Sequence, residues 1–145
     1  MIDPSLPVQE AVFDALTGST ALAAAFGGPP RVFDRVPVDA AGRVTARFPY
    51  VAIGEDQVTS EADACHDASS IFVTVHVWSR AVGKVEAKAI MAAVCLALDV
   101  KLAVAGFGVI GHDVETGPQH LTDADGLTSH SVVTFRYRLA AAANP

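Results

Sequence analysis

The chain has 145 residues, about half of them apolar with Ala supplying much of that share, and a formal charge of −6; it is long enough for one domain with a buried core and too acidic for a nucleic-acid-binding module, which would show basic clusters. No window reaches the roughly 18–20 uninterrupted apolar residues of a membrane span, and "MIDPSLPVQEAVFDAL" carries an acid at position 3 and no basic residue before Arg31, so it is not read as a secretory signal and synthesis in a cytoplasm is expected. Two cysteines are too few for a disulfide framework: Cys95 sits in an apolar helical run as a small buried thiol, and Cys65 in a polar segment as a free one.

Residues 5–17, "SLPVQEAVFDALT", predict a first helix. Asp3 or Ser5 can cap it, a proline falls in its first turn either way, and Gly18 ends it. Leu6, Val12, Phe13 and Leu16 form its apolar stripe. "STALAAAF" (19–26) predicts a short second helix, capped by Ser19 or Thr20 and stopped by Gly27-Gly28-Pro29-Pro30. "RVFDRVP" (31–37) is a short extended piece and "VDAAGRVTAR" (38–47) a loop. "FPYVAIGE" (48–55) is a strand with Pro49 at its beginning, where a missing donor is tolerated. Residues 56–69, "DQVTSEADACHDAS", are polar and without period, and predict a long exposed loop.

"SIFVTVHVWS" (70–79) is the clearest strand. Ile71, Val73, Val75 and Val77 point one way, and Phe72, Thr74, His76 and Trp78 the other. Large apolar groups on both sides predict a central strand covered on at least part of each face. "GKVEAKAIMAAVCLALD" (83–99) predicts the second main helix: Val85, Ala89, Ala92, Ala93 and Leu96 repeat at helical spacing, and Ile90, Val94 and Leu98 widen the stripe. A strand is expected near 109–116, a turn at Asp125-Gly126, and a last strand over 131–140. In that last strand Val133, Phe135, Tyr137 and Leu139 face the core and Thr134, Arg136 and Arg138 face out. The tail "AAANP" is expected to fray. The order of elements predicts a single α+β domain: a mostly antiparallel mixed sheet with helices packed on one face.

Residues 75–90, "VHVWSRAVGKVEAKAI", crowd His76, Trp78, Ser79, Arg80, Lys84, Glu86 and Lys88 together. A nucleophilic triad needs its serine on a strained, glycine-flanked turn within reach of a histidine and an acid, and "WSRA" is not such a turn. Strand-end and helix-surface roles fit better. Lys84 and Lys88 share a helix face, which implies solvent or an acidic partner. "EADACHD" (61–67) places one Cys beside one His, without the second pair that a zinc site uses, and His112, His120 and His130 are scattered. "DADG" (123–126) begins like a calcium loop, but its twelfth position is Thr134. "GFGVIG" (106–111) matches G-x-G-x-x-G, yet the polar run after it ends in Gly-Pro and opens no helix, so its glycines ease a turn and a strand start. No catalytic, cofactor-binding or metal-binding residue is assigned, and no enzyme activity is expected.

Glu55, Asp56, Glu61, Asp63 and Asp67 lie within residues 55–69 without a Lys or Arg, a local charge of −5 against −6 for the whole chain. Two readings are open: an ordinary solvated loop, or an acidic surface held where it repels another polyanion.

"LPVQEAVFDALTGSTALAAAFGG", "RVFDRVP", "FPYVAIGE", "VTVHVWSRAVGKVEAKAIMAAVCLAL" and "TSHSVVTFRYRL" follow one another in an order that resembles the tail-completion, or tail-terminator, family of tailed phages, also found in gene transfer agents and prophages. The resemblance spans nearly the whole chain, and its most specific part is the "HVWSR…G…EA" segment. It implies a virion protein whose copies, commonly six, form a ring on the head-proximal end of the tail tube. Such a ring stops tube polymerisation, meets the tail tube protein and the head–tail connector, and lets DNA pass through its lumen. It implies no cofactor and no membrane partner.

On that reading Glu55, Asp56, Glu61, Asp63 and Asp67 are candidates for the lumen or a tail-tube contact, since an acidic lining lets DNA slide. Trp78 and Arg80 are candidates for the subunit interface, with local packing of Trp78 and a solvated Arg80 as the plainer alternative. Rival readings are a head–tail connector (neck) protein, a small enzyme or metal-binding protein using His66, His76 or His112, and a monomeric ligand-binding domain.

Overall fold

A computed structural model describes residues 1–142. Two helices lead, α1 (Ser5–Thr17) and α2 (Thr20–Phe26), followed by strands β1 (Val32–Phe33), β2 (Tyr50–Ser60) and β3 (Ala68–Ser79). Helix α3 (Val85–Leu98) then precedes β4 (Phe107–Thr122) and β5 (Ser129–Ala141). The strands form one sheet in the order β1-β2-β3-β5-β4, with β1 parallel to β2 and every other pair antiparallel. This is the α+β arrangement the sequence predicts, with β3 in the middle. Of the C-terminal "AAANP", Ala141 closes β5, and residues 143–145 lie outside the described residues.

Local chemistry sets the helix ends. Asp3 Oδ1 accepts the Ser5 N–H at 2.9 Å ahead of α1. Ser19 Oγ accepts the Leu22 N–H at 3.1 Å, capping α2, and Gly27 closes it in the left-handed region at φ 69°. Helices α1 and α3 cover one face of the sheet. Val8, Val12 and Leu16 of α1 and Ile90, Val94 and Leu98 of α3 meet Ile71, Val73, Val75 and Val77 of β3 and Val133, Phe135, Tyr137 and Leu139 of β5. Each fully buried aliphatic or aromatic side chain there stabilises the fold by about 1.5–3 kcal/mol. Tyr137 reaches out of the sheet to donate its hydroxyl hydrogen to the Leu98 carbonyl, satisfying an acceptor at the C-terminal end of α3 that has no partner within the helix.

Several elements differ from the sequence reading. Half of the loop predicted over 56–69 is strand: β2 continues to Ser60, β3 begins at Ala68, and residues 61–67 turn between them. The register runs unbroken from Asp56↔Val73 to Ser60↔Ser69. This end of β2 is largely exposed, so no apolar alternation marks it as extended. The predicted helix stripes also fall partly on the wrong side. Leu6 and Phe13 of α1 and Val85, Ala89, Ala92 and Leu96 of α3 are exposed, while Val8 and Ala11, and Ala87, Ile90, Met91 and Val94, fill the core. Both helices have apolar residues around most of their girth, so spacing alone does not tell which side is buried.

β4 is twice as long as predicted and contains Gly117-Pro118. Three register shifts against β5, at Val109/Gly111, Val114/Thr116 and Thr116/Gln119, absorb the irregular residues. β4 is an edge strand, and there a proline withholds no ladder donor. Cys65 is exposed; Cys95 is half-buried rather than buried, and that burial raises its thiol pKa.

Candidate functional site

The sheet face that carries no helix collects the polar side chains. Strand alternation puts Ser70, Phe72, Thr74, His76 and Trp78 of β3 on it, and the register sets Arg138, Arg136, Thr134 and His130 of β5 beside them. Three groupings result.

At one end Glu61, from the β2–β3 turn, is clamped over β5. Its Oε1 lies 2.9 Å from Arg136 Nη2 and also accepts the Ser70 hydroxyl, and its Oε2 accepts Arg138 Nε–H at 2.8 Å. The Ser70 bond first, then those from Arg138 and Arg136, hold this carboxyl down at about 2. Arg136 also donates from Nε to Ser70 Oγ at 3.2 Å and sits over the Phe72 ring at 5.8 Å.

At the other end the His130 ring stacks on Trp78 with centroids 3.8 Å apart and planes 5° from parallel. His76 stacks on the His130 ring at 4.9 Å, with His76 Nδ1 and His130 Nε2 only 2.7 Å apart, a separation that one shared proton explains. His76 Nε2 is 3.5 Å from Glu55 Oε2. Burial, and then the charge of His76, push His130 below the usual histidine range. Gly54 makes this possible: a Cβ there would lie 2.7 Å from the His76 ring and 3.1 Å from the Thr74 carbonyl.

Between the two ends runs a trough of about 550 Å³, walled by Glu55 and Asp56 of β2 and Glu115 of β4, with Thr74 and Thr134 also lining it. These two threonines are joined by a 3.0 Å hydrogen bond between their hydroxyls. No Lys or Arg lines the trough, so its field is negative.

The five carboxylates grouped by sequence therefore occupy three settings. Glu55 and Asp56 line the trough. Glu61 is neutralised by two arginines. Asp63 and Asp67 belong to the 61–67 turn: Asp63 Oδ1 accepts the Cys65 and His66 N–H groups at 2.8 Å each, which lowers its pKa, and Asp67 lies 3.8 Å from the Met1 amino nitrogen. Trp78 is the outer member of the histidine stack. Arg80 lies 4.1 Å over the Phe48 ring and donates to Thr128 Oγ1 at 3.3 Å. Asp125 organises the β4–β5 turn: it accepts the Thr128 hydroxyl at 2.6 Å and the Thr128 and Leu127 N–H groups, and those bonds, the hydroxyl's first, hold its carboxyl at about 2. Ser79 is buried at a strand end, donating to Glu86 Oε1 at 2.8 Å and accepting the Ala81 N–H at 3.1 Å.

Sequence reasoning missed Glu115 and the coupling of His130 to His76. Their partners lie more than fifty positions away, and only the strand order brings them together. His66 pairs with Asp63, His76 with His130, and His112 with Asp99, at three separate places. Among the described residues no three His, Cys, Asp or Glu side chains gather to hold a metal ion, and no helix is long and apolar enough to cross a membrane.

A chain from the virion of a native gene transfer agent particle has the same fold, with a TM-score of 0.81 at 23% identity, covering 97% of this chain and all of that one. The gp17 protein of bacteriophage SPP1 superposes with a TM-score of 0.60 at 24% identity, covering 97% of this chain and 91% of that one. No curated protein matches by sequence. The profile of one family, described as tail completion protein gp17, matches residues 10–140. That match takes in the second half of α1, all of α2 and α3, the whole trough and the histidine stack, and the chain belongs to this family of structural tail proteins.

Proposed function

We propose that the protein is a tail terminator. Copies of it form a ring, six being the number the family resemblance suggests, on the head-proximal end of the tail tube. The ring stops tube growth, joins the tube protein to the head–tail connector, and leaves a lumen for DNA. Family membership and the likeness to a gene transfer agent virion chain support a place in the tail. The observation that carries the finer reading is the acidic trough of Glu55, Asp56 and Glu115 on the uncovered sheet face. DNA binding depends on Lys and Arg neutralising phosphates, and a surface whose own arginines are engaged by Glu61 offers DNA repulsion without adhesion. Electron microscopy of particles from a strain lacking the gene tests the proposal. Overlong tails, or full heads separated from tails, are expected. Particles with tails of normal length, joined to heads, would remove it.

A further inference from the structure

Helix α3 buries one apolar stripe and leaves a second in solvent. The exposed stripe is Val85, Ala89, Ala92 and Leu96, with Val85 80% and Leu96 72% exposed. The spacing i, i+4, i+7, i+11 aligns them as one ridge. A helix apolar on both sides is ordinarily covered on both, and contiguous apolar surface marks a contact site. The ridge's available charge is positive. Lys88 flanks it, exposed and without an ion pair among the described residues. The nearby acids are engaged: Glu86 accepts from Ser79, and Asp99 lies 3.0 Å from His112 Nδ1.

A second surface has the opposite character. Between α1 and the short edge strand β1 lies a groove of about 470 Å³. Phe13, Val32 and Phe33 give it an apolar lining; Glu10, Asp14 and Asp34 add three carboxylates, and no Lys or Arg lines it. Phe13 is one of the residues whose spacing predicts burial, and it is instead 42% exposed.

We propose that the α3 ridge of one copy seats in the α1–β1 groove of a second copy, with Lys88 meeting the carboxylates of the groove. The inference rests on the ring reading and assigns its subunit contact. Apolar ridge meets apolar groove, as an amphipathic helix does in its binding cleft, and basic flank meets acidic rim. Like surfaces do not match: ridge against ridge sets lysine toward lysine, and groove against groove sets carboxylates together. The contact is therefore heterologous, and each added copy leaves one free ridge and one free groove until the chain of subunits closes.

Mixing two variants tests this. Leu96→Ser spoils the ridge without adding a charge, and Glu10→Lys with Asp14→Lys spoils the groove; all three positions are exposed, and circular dichroism melting checks that both variants fold. Sedimentation velocity over a rising concentration series reads the assembly. Wild-type chains are expected to form closed oligomers, each variant alone to associate at least tenfold more weakly, and an equimolar mixture to stop at 1:1 dimers, because only one good ridge and one good groove can meet. Adding Lys88→Glu to the groove variant should restore part of its self-association. Wild-type-like oligomers of Leu96→Ser, a mixture without dimers, or a wild-type chain monomeric throughout the series would overturn the contact. Tail length in the gene-deleted strain reads the terminator proposal separately. Defective tails with association through other surfaces sink the contact alone, and normal tails with the dimer pattern sink the terminator alone.

Discussion

Arg138 donates from Nε to Glu61 Oε2 at 2.8 Å, tying the β2–β3 turn to the last strand across 77 positions of sequence. With Arg136 on the other oxygen, this is the fold's main ionic link. Glu61→Gln keeps the shape and removes the charge, and is expected to cost about 1 kcal/mol near neutral pH. The folded carboxyl titrates at about 2 against an ordinary 4.5. Its stabilisation is therefore complete above pH 4.5 and disappears as pH falls toward 2. Melting curves should show the gap between wild type and Glu61→Gln closing over that window. A gap of constant size would mean that the ion pairs contribute nothing.

Gly54 touches the His76 ring. Gly54→Val should destabilise the protein by about 1–3 kcal/mol, because its side chain enters space the imidazole already fills. Adding His76→Ala should recover about half of that loss in denaturant unfolding, since the nearest obstruction is a side chain that can be removed. Strictly additive losses would show that the obstruction is the backbone at Thr74.

Trp78 is the sole tryptophan, and it lies flat on His130. A protonated imidazole quenches indole emission, so fluorescence should fall as pH drops, with a midpoint below the ordinary 6.5 because burial, and then the neighbouring His76, oppose the charging of His130. The neutral form belongs to the folded state. Its contribution to stability is present above about pH 6.5 and is lost on acidification. His130→Gln should abolish the fluorescence transition, and His76→Gln should move its midpoint upward. A transition that survives in His130→Gln would place the quenching group elsewhere.

Tyr137→Phe removes one buried hydroxyl and leaves the Leu98 carbonyl without its donor. A loss of about 1–3 kcal/mol is expected in urea unfolding. A loss under about 0.5 kcal/mol would mean that water takes over the bond.

On the tail-terminator reading, replacing Glu55, Asp56 and Glu115 together by Lys turns the trough from repelling DNA to holding it. Particles of normal morphology with at least tenfold fewer DNA deliveries are expected in a transfer assay. Normal delivery would remove the trough from the DNA path.

The parts of this fold with one buried face and regular spacing are legible in the sequence. β3 and β5 alternate cleanly because helices cover one side and a polar array the other, and Ser19 and Gly27 bound α2 as their chemistry requires. β2 beyond Glu55 and β4 beyond Thr116 are hidden because they are solvated, and backbone pairing rather than burial keeps them extended. The acidic trough is half legible: Glu55 and Asp56 stand out by local charge, whereas Glu115 joins them only through the strand order. Glu61 looks like a free acid beside its sequence neighbours, and its arginines come from the far end of the chain.

β4 presents sixteen residues along the outer edge of the sheet, long enough to template a strand from another molecule. Its three register shifts break the rhythm of outward-pointing N–H and C=O groups, and Pro118 removes one donor outright. A foreign strand laid along it falls out of phase after a short segment. The irregularity that blurs β4 in the sequence thus works against zipping backbone to backbone into fibres.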